Sequence, residues 1–296
     1  MTLNSADQQH RQTSASGASA ASSTPLPRIA LVGVHGYGSQ HLVNLRRLQQ
    51  QGRLELVAAA DPHAPEHLDF PAPVAIFASL EELLGATPAV DVVIIATPIQ
   101  THAPLALTAM AAEADVYLEK PPVTSLEQYE QLLQAAAHNS SSVQIGFQSL
   151  GSHALTAIAD LIASGRIGEV RSISATGQWV RTRAYYQRSP WAGKRRIQGT
   201  DVVDGVATNP LAHAVATALH IAGARETSDI AGVDTDLYHA HDIESDDTSV
   251  IRIRTTNGPT VTCALTLCAA ESEEPYVTID GTAGQAVFYY TADLCR

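Results

Sequence analysis

Short, nearly uninterrupted apolar runs alternate with amphipathic stretches between residues 28 and 147. The runs at 29–32, 54–60, 74–77, 92–96, 116–118 and 143–147 read as strands. They lack the every-second-residue polarity of a half-exposed sheet, so the sheet they build is covered on both faces, as parallel sheets are. Between them, Ser79-Leu80-Glu81-Glu82 and Ser125-Leu126-Glu127-Gln128 carry the spacing of a helix capping box. Gly85 reads as a stop for the first of these helices, and the second ends near His138. Strand–helix alternation of this kind predicts an α/β unit of Rossmann type over 27–147.

The pattern changes after Gln148. A helical stretch at 151–164 ends at Gly165, and 169–181 alternates in the period-two manner of a half-exposed strand. A loop dense in arginine, tyrosine and tryptophan, 181–196, leads to a helix that starts near Pro210 and stops at Gly223. Strand patterns follow at 236–243, 248–255, 260–269, 276–280 and 285–290. Consecutive strands with few helices predict an α+β domain over 148–296, built on a mainly antiparallel open sheet. Residues 1–26 are rich in Ser, Ala, Gln and Thr and have no apolar signal-peptide core, so they read as a disordered tail.

Composition narrows the function classes. With 296 residues and 45% apolar side chains the chain can bury a large core. A formal net charge of −12 argues against nucleic acid or an anionic membrane as partner, and no run is apolar enough to cross a bilayer. Cys263, Cys268 and Cys295 have no zinc-like spacing; Cys263 and Cys268 fall on opposite sides of one expected strand. Reduced thiols in a cytoplasmic protein are expected.

Three places carry candidate chemistry. Gly33-Val34-His35-Gly36-Tyr37-Gly38 follows the first strand and opens a helix, the setting of a dinucleotide-binding turn. His35 stands where the second fingerprint glycine is expected, with Gly36 beside it. Asp61 ends the second strand, where a carboxylate accepts from ribose hydroxyls and repels a 2′-phosphate, favouring NAD with NADP still possible. Lys120 ends the fifth strand at the carboxyl edge, within Glu119-Lys120-Pro121-Pro122; burial there would make it a usable proton acid or base. Asn209 and His213, four apart, share one face if the helix begins at Asn209, although Asn209-Pro210 is also an ordinary capping pair and His213 an ordinary core histidine. Trp191 and the neighbouring tyrosines offer aromatic faces to a sugar ring. His239 and His241, with Asp242, Glu244, Asp246 and Asp247 nearby, resemble a metal cluster, but an exposed strand entering a polar turn accounts for them and no metal is expected.

Together these motifs resemble the glucose–fructose oxidoreductase / inositol dehydrogenase / rhizopine-catabolism (Gfo/Idh/MocA) family over residues 28–291. Glu119-Lys120-Pro121 is the most specific element, helped by Ala96-Thr97-Pro98 and His102. The resemblance implies a catalytic Lys120 and maps a family Asp-x-x-x-His pair onto Asn209 and His213. It also implies that Thr97, Pro98, His102, Glu119 and Gln148 line the cofactor and substrate site. The implied activity is NAD(P)-dependent hydride transfer at a secondary hydroxyl of a sugar, cyclitol or related polyol, in a homo-oligomer (dimer or tetramer). Departures at His35, at Asn209 and in the short C-terminal stretch, which suggests a truncated member, keep two other readings open. One is a non-catalytic dinucleotide-binding sensor; the other is a glycosidase-like enzyme that uses NAD transiently.

Overall fold

The computed structural model describes residues 25–70, 72–87 and 89–296, so the expected tail lies almost wholly outside it. The first unit runs β1 (Arg28–Val32), α1 (Gly38–Gln50), β2 (Glu55–Ala60), β3 (Ala75–Phe77), α2 (Leu80–Ala86), β4 (Val92–Ile95), α3 (His102–Ala111), β5 (Asp115–Leu118), α4 (Leu126–Asn139) and β6 (Val143–Ile145). The strands pair in parallel in the order β3-β2-β1-β4-β5-β6. Ala30, Val93, Ile95 and Leu118 face one helical layer; Leu31, Leu56 and Ala59 face the other. Burial on both faces is why these strands read as continuous apolar runs. The strand order reverses between β1 and β4, and open parallel sheets bind ligands outside the carboxyl ends of the strands at such a switch point.

The helix signals are realised with one shift. Ser79 Oγ accepts from the Glu82 amide at 3.2 Å, and Ser125 Oγ accepts from the Gln128 amide at 3.2 Å. The return bonds of Glu82 and Gln128 go to the amides of Ala78 and Thr124, one residue before the cap. Gly85 does not stop α2, which continues to Ala86.

The second unit comprises α5 (His153–Ala163), β7 (Val170–Gln178), α6 (Arg183–Tyr186), β8 (Arg196–Ile197), β9 (Thr200–Asp201), α7 (Ala212–Ile221), β10 (Ile230–Tyr238), β11 (Thr248–Thr255), β12 (Thr260–Thr266), β13 (Tyr276–Gly281), β14 (Gln285–Tyr289) and β15 (Leu294–Cys295). Its main sheet has the order β10-β11-β12-β7-β13-β14-β15. All neighbours are antiparallel except β7 and β12. One face packs on α5 and α7 through Ile158, Ile173, Ala175, Leu211, Ala214 and Phe288. β8 and β9 form a separate hairpin that begins at the end of the arginine-rich loop.

Two expectations are corrected. The strand placed at 236–243 runs Ile230–Tyr238 instead, so His239 and His241 lie in the following turn and not on a shared strand face. The helix placed at Pro210 begins at Ala212, with Leu211 as its uncapped N-cap residue, so Asn209 is not a helix cap. Its side chain is committed elsewhere. Cys268 likewise lies beyond β12, and the three cysteines are free thiols.

Candidate active site

The glycine turn is shaped by two close approaches. A Cβ on Gly38 would lie 2.0 Å from the Gly33 carbonyl oxygen, and one on Gly33 would lie 2.7 Å from that of Ala96. No side chain fits at either place, so the turn hugs the end of β4. α1 has no side-chain N-cap, and among the described residues the amides of Gly36 and Tyr37 donate to no protein acceptor. A helix N-terminus with free amides suits a pyrophosphate. His35 does not fill this cradle, because its ring turns outward and its Nε2 lies 2.9 Å from the His63 carbonyl oxygen. Asp61, at the end of β2, accepts from the amides of Val34 at 3.0 Å and His63 at 2.9 Å, which fastens β2 to the turn. These residues fit a dinucleotide.

Lys120 lies where β5 ends. Its ammonium donates to Asn209 Oδ1 at 2.8 Å and to the Asn209 carbonyl at 3.0 Å. Burial lowers its pKa below the ordinary lysine value; the Glu119 and Asp204 carboxylates oppose that, and the Arg188 charge adds to it. An ion pair with Glu119 is not what holds it. Glu119, buried, instead lies 2.9 Å from His41 Nε2 and accepts from the Lys120 amide at 3.3 Å. Tyr117 stands close by, its phenol pushed up to about 12 by burial and the Glu119 charge.

His213 sits in the first turn of α7, edge-on to Phe147 at 5.7 Å between ring centroids. Its pKa is pushed down to about 4 by burial and then by the Lys120 charge, against a smaller pull from Glu119. The ring is therefore neutral near pH 7. Its Nδ1 lies 3.4 Å from Ser149 Oγ, which itself accepts from Thr217 at 3.0 Å. A Ser149 hydroxyl that donates onward to Nδ1 would leave the ring proton on Nε2.

The remaining expected residues play less direct parts. His102 is 1% exposed, and its two ring nitrogens lie 2.8 Å and 2.9 Å from the carbonyls of Pro121 and Thr97. It ties the Thr97-Pro98 turn to the segment after Lys120 and offers no surface to a ligand; burial lowers its pKa. Gln148 donates to the Tyr37 hydroxyl at 2.7 Å, joining the second unit to the glycine turn. Trp191 stacks on Arg188, whose guanidinium also covers Tyr185 at 3.7 Å, while Arg181 lies between Tyr185 and Trp179. The aromatic loop is thus a ladder of alternating rings and cations, with a face of Trp191 already taken.

The metal-like run is reorganised as well. His241, Asp247 and Cys268 bring ligand atoms within 4.8 Å of one another. Asp247, fully buried, already accepts from the amides of Ala240 and His241 and from the His241 ring, and so serves as the anchor of this turn.

Sequence reasoning missed Asp204, which bonds Asn209, and His41, which pairs with Glu119. His41 was findable: Tyr37 and His41 are four apart at the start of α1, and their rings meet at 5.6 Å. Asp204 carried no such signal.

A parallel sheet with a glycine turn at its switch point, facing a lysine held by a second, antiparallel-sheet unit, defines a two-domain dinucleotide-dependent oxidoreductase architecture. Family models agree: one described as an oxidoreductase family with NAD-binding Rossmann fold matches residues 27–147, and a GFO/IDH/MocA C-terminal domain matches 155–287. The chain belongs to the Gfo/Idh/MocA family, and its first unit is that family's NAD-binding Rossmann domain. It is 35% identical over 147 residues to a 1-carboxy-3-chloro-3,4-dihydroxycyclohexa-1,5-diene dehydrogenase of Comamonas testosteroni, covering 48% of this chain and 36% of that protein. It is 29% identical over 141 residues to an inositol 2-dehydrogenase of Rubrobacter xylanophilus, covering 47% and 40%. The match thus spans well under half of either relative. In three dimensions it resembles the WlbA dehydrogenase of Bordetella pertussis, solved with NADH and UDP-GlcNAcA (TM-score 0.76, 24% identity, 89% of this chain and 78% of that one). It also resembles a levoglucosan dehydrogenase solved with NADH and L-sorbose (TM-score 0.76, 18% identity, 91% and 74%).

Proposed function

We propose that this chain is an NAD-dependent dehydrogenase or reductase acting on a secondary hydroxyl of a sugar, cyclitol or related polyol. The observation that carries this reading is the Lys120 ammonium, held 2.8 Å and 3.0 Å from Asn209 at the carboxyl edge of the parallel sheet. Bound NAD would accept or donate the hydride; Gly33, Gly36, Tyr37, Gly38 and Asp61 would hold it. Lys120 takes the hydroxyl proton in the oxidative direction and returns it in the reductive one, and burial brings its pKa toward the working range. Neutral His213 orients the same hydroxyl through its Nε2 proton, and Asn209 fixes the direction of Lys120. The ring hydroxyls in the substrates that name the relatives support a polyol.

Titration calorimetry with NADH and with NADPH, followed by a polyol oxidation screen, tests the reading. NADH should bind more tightly. Lys120→Met should lower kcat by about 10²–10⁴ with NADH affinity kept. Full turnover by Lys120→Met, or no binding of either nucleotide, overturns the assignment.

A further inference from the structure

Asp204 lies in the irregular segment between β9 and α7, and it is 5% exposed. Its Oδ1 accepts from Asn209 Nδ2 at 2.7 Å, and its Oδ2 accepts from the Gly193 amide at 2.8 Å. The Arg188 guanidinium lies 3.5 Å from Oδ2. On the other side of Asn209, Oδ1 receives the Lys120 ammonium at 2.8 Å. Lysine, carboxamide and carboxylate therefore stand in a line.

The chemistry of these groups sets the direction of the line. An ionised carboxylate only accepts hydrogen bonds and an ammonium only donates them, while a carboxamide has one end of each kind. Asn209 must turn its NH₂ toward Asp204, and this leaves its oxygen for Lys120. Building on the proton-transfer role given above to Lys120, we infer that Asp204 is the positioning residue of this site: it fixes the Asn209 amide and favours the charged form of Lys120.

Charge and orientation act together. Without a carboxylate at 204 the Asn209 amide is free to invert and present its NH₂ to the ammonium, and a buried anion near Lys120 is lost. The other titratable or charged groups facing Lys120 do not replace it. Glu119 favours the charged lysine whether or not Asp204 is present and so cannot make up its loss. Arg188 is a cation held by Asp204, His213 is neutral near pH 7, and His102 is occupied by the carbonyls of Pro121 and Thr97.

The chain offers a clean test because it contains two lysines, Lys120 and Lys194. Labelling lysine with ¹³C at Cε gives the full-length protein two proton–carbon signals, and Lys120→Met assigns them. The pH midpoint of each signal is then followed without substrate or cofactor. Asp204→Asn should lower the Lys120 midpoint by about one pH unit and leave that of Lys194 in place. In turnover, the pH limb of kcat/KM should move by the same amount. A Lys120 midpoint within about 0.2 units of wild type in folded Asp204→Asn overturns the inference. If that variant fails to fold, Asp204→Ser removes the same charge with a smaller side chain, and an unmoved Lys120 midpoint there is equally decisive against it. The signal reads Lys120 directly, so active Lys120→Met would remove the catalytic role of Lys120 and leave the Asp204 result standing.

Discussion

Lys120 and His213 owe their protonation states to opposite balances. Both are pushed toward neutrality by burial, but the carboxylates of Glu119 and Asp204 restrain the lysine, whereas the nearby ammonium pushes the imidazole further down. This has a consequence for stability. The folded His213 pKa of about 4 lies below the unfolded value of about 6.5. The unfolded chain therefore takes up this proton first, so the contribution of a neutral His213 is whole above pH ~6.5 and disappears as pH falls through ~4. Solvent reaches part of the ring, and the effect is on the order of 2 kcal/mol. Urea unfolding between pH 7 and 4 should show His213→Gln losing less stability than wild type by about that amount. Parallel pH profiles would dismiss the burial argument. At this scale Lys120, Asn209 and His213 were legible, because a lysine just past a strand end and a four-residue spacing are local facts. Asp204 stayed hidden: it reaches the site through a turn in which the Asn209 amide bonds the Gly205 carbonyl, and no periodic pattern encodes such a turn.

Helices and strands were readable where one residue's neighbours decide the outcome. Ser125 is such a case. Ser125→Ala removes the bond to the Gln128 amide and should destabilise the protein by about 1 kcal/mol with NADH affinity unchanged, measured by urea midpoint and calorimetry. Gly38 ties an element to the site instead. In Gly38→Ala the new methyl meets the Gly33 carbonyl, so the turn must open. An expected loss of about 1–3 kcal/mol would lower the melting temperature by several degrees, and NADH binding should weaken at least about tenfold. Unchanged NADH affinity would show that the turn does not carry the pyrophosphate. β10 was misplaced because most of it is exposed and its apolar residues, Ile230, Ala231, Val233, Leu237 and Tyr238, do not alternate with polar ones; pairing with β11 makes it a strand. β8, β9 and β15 are two residues each, too short for a periodic signal.

Across the whole molecule, the site exists only where the two units meet. Lys120 comes from the first and Asn209 from the second, and Gln148 reaches back to Tyr37 across the same boundary. The class of each unit was readable from its pattern of runs, but the facing of the two depends on contacts between distant residues.

The central place of β7 bears on how the chain is made. It is the first strand of its sheet to leave the ribosome, yet its neighbours are β12 and β13, with Ser172 paired to Thr260 on one side and to Asp280 on the other. Closing so long a loop is slow, and until those strands are synthesised β7 has no partner in the sheet. The Rossmann unit, complete by residue 147, has no such wait. Ribosome-held nascent chains of increasing length should therefore show protease resistance over 27–147 well before any resistance appears after 148. Resistance after residue 148 should follow only once β13 has cleared the exit tunnel.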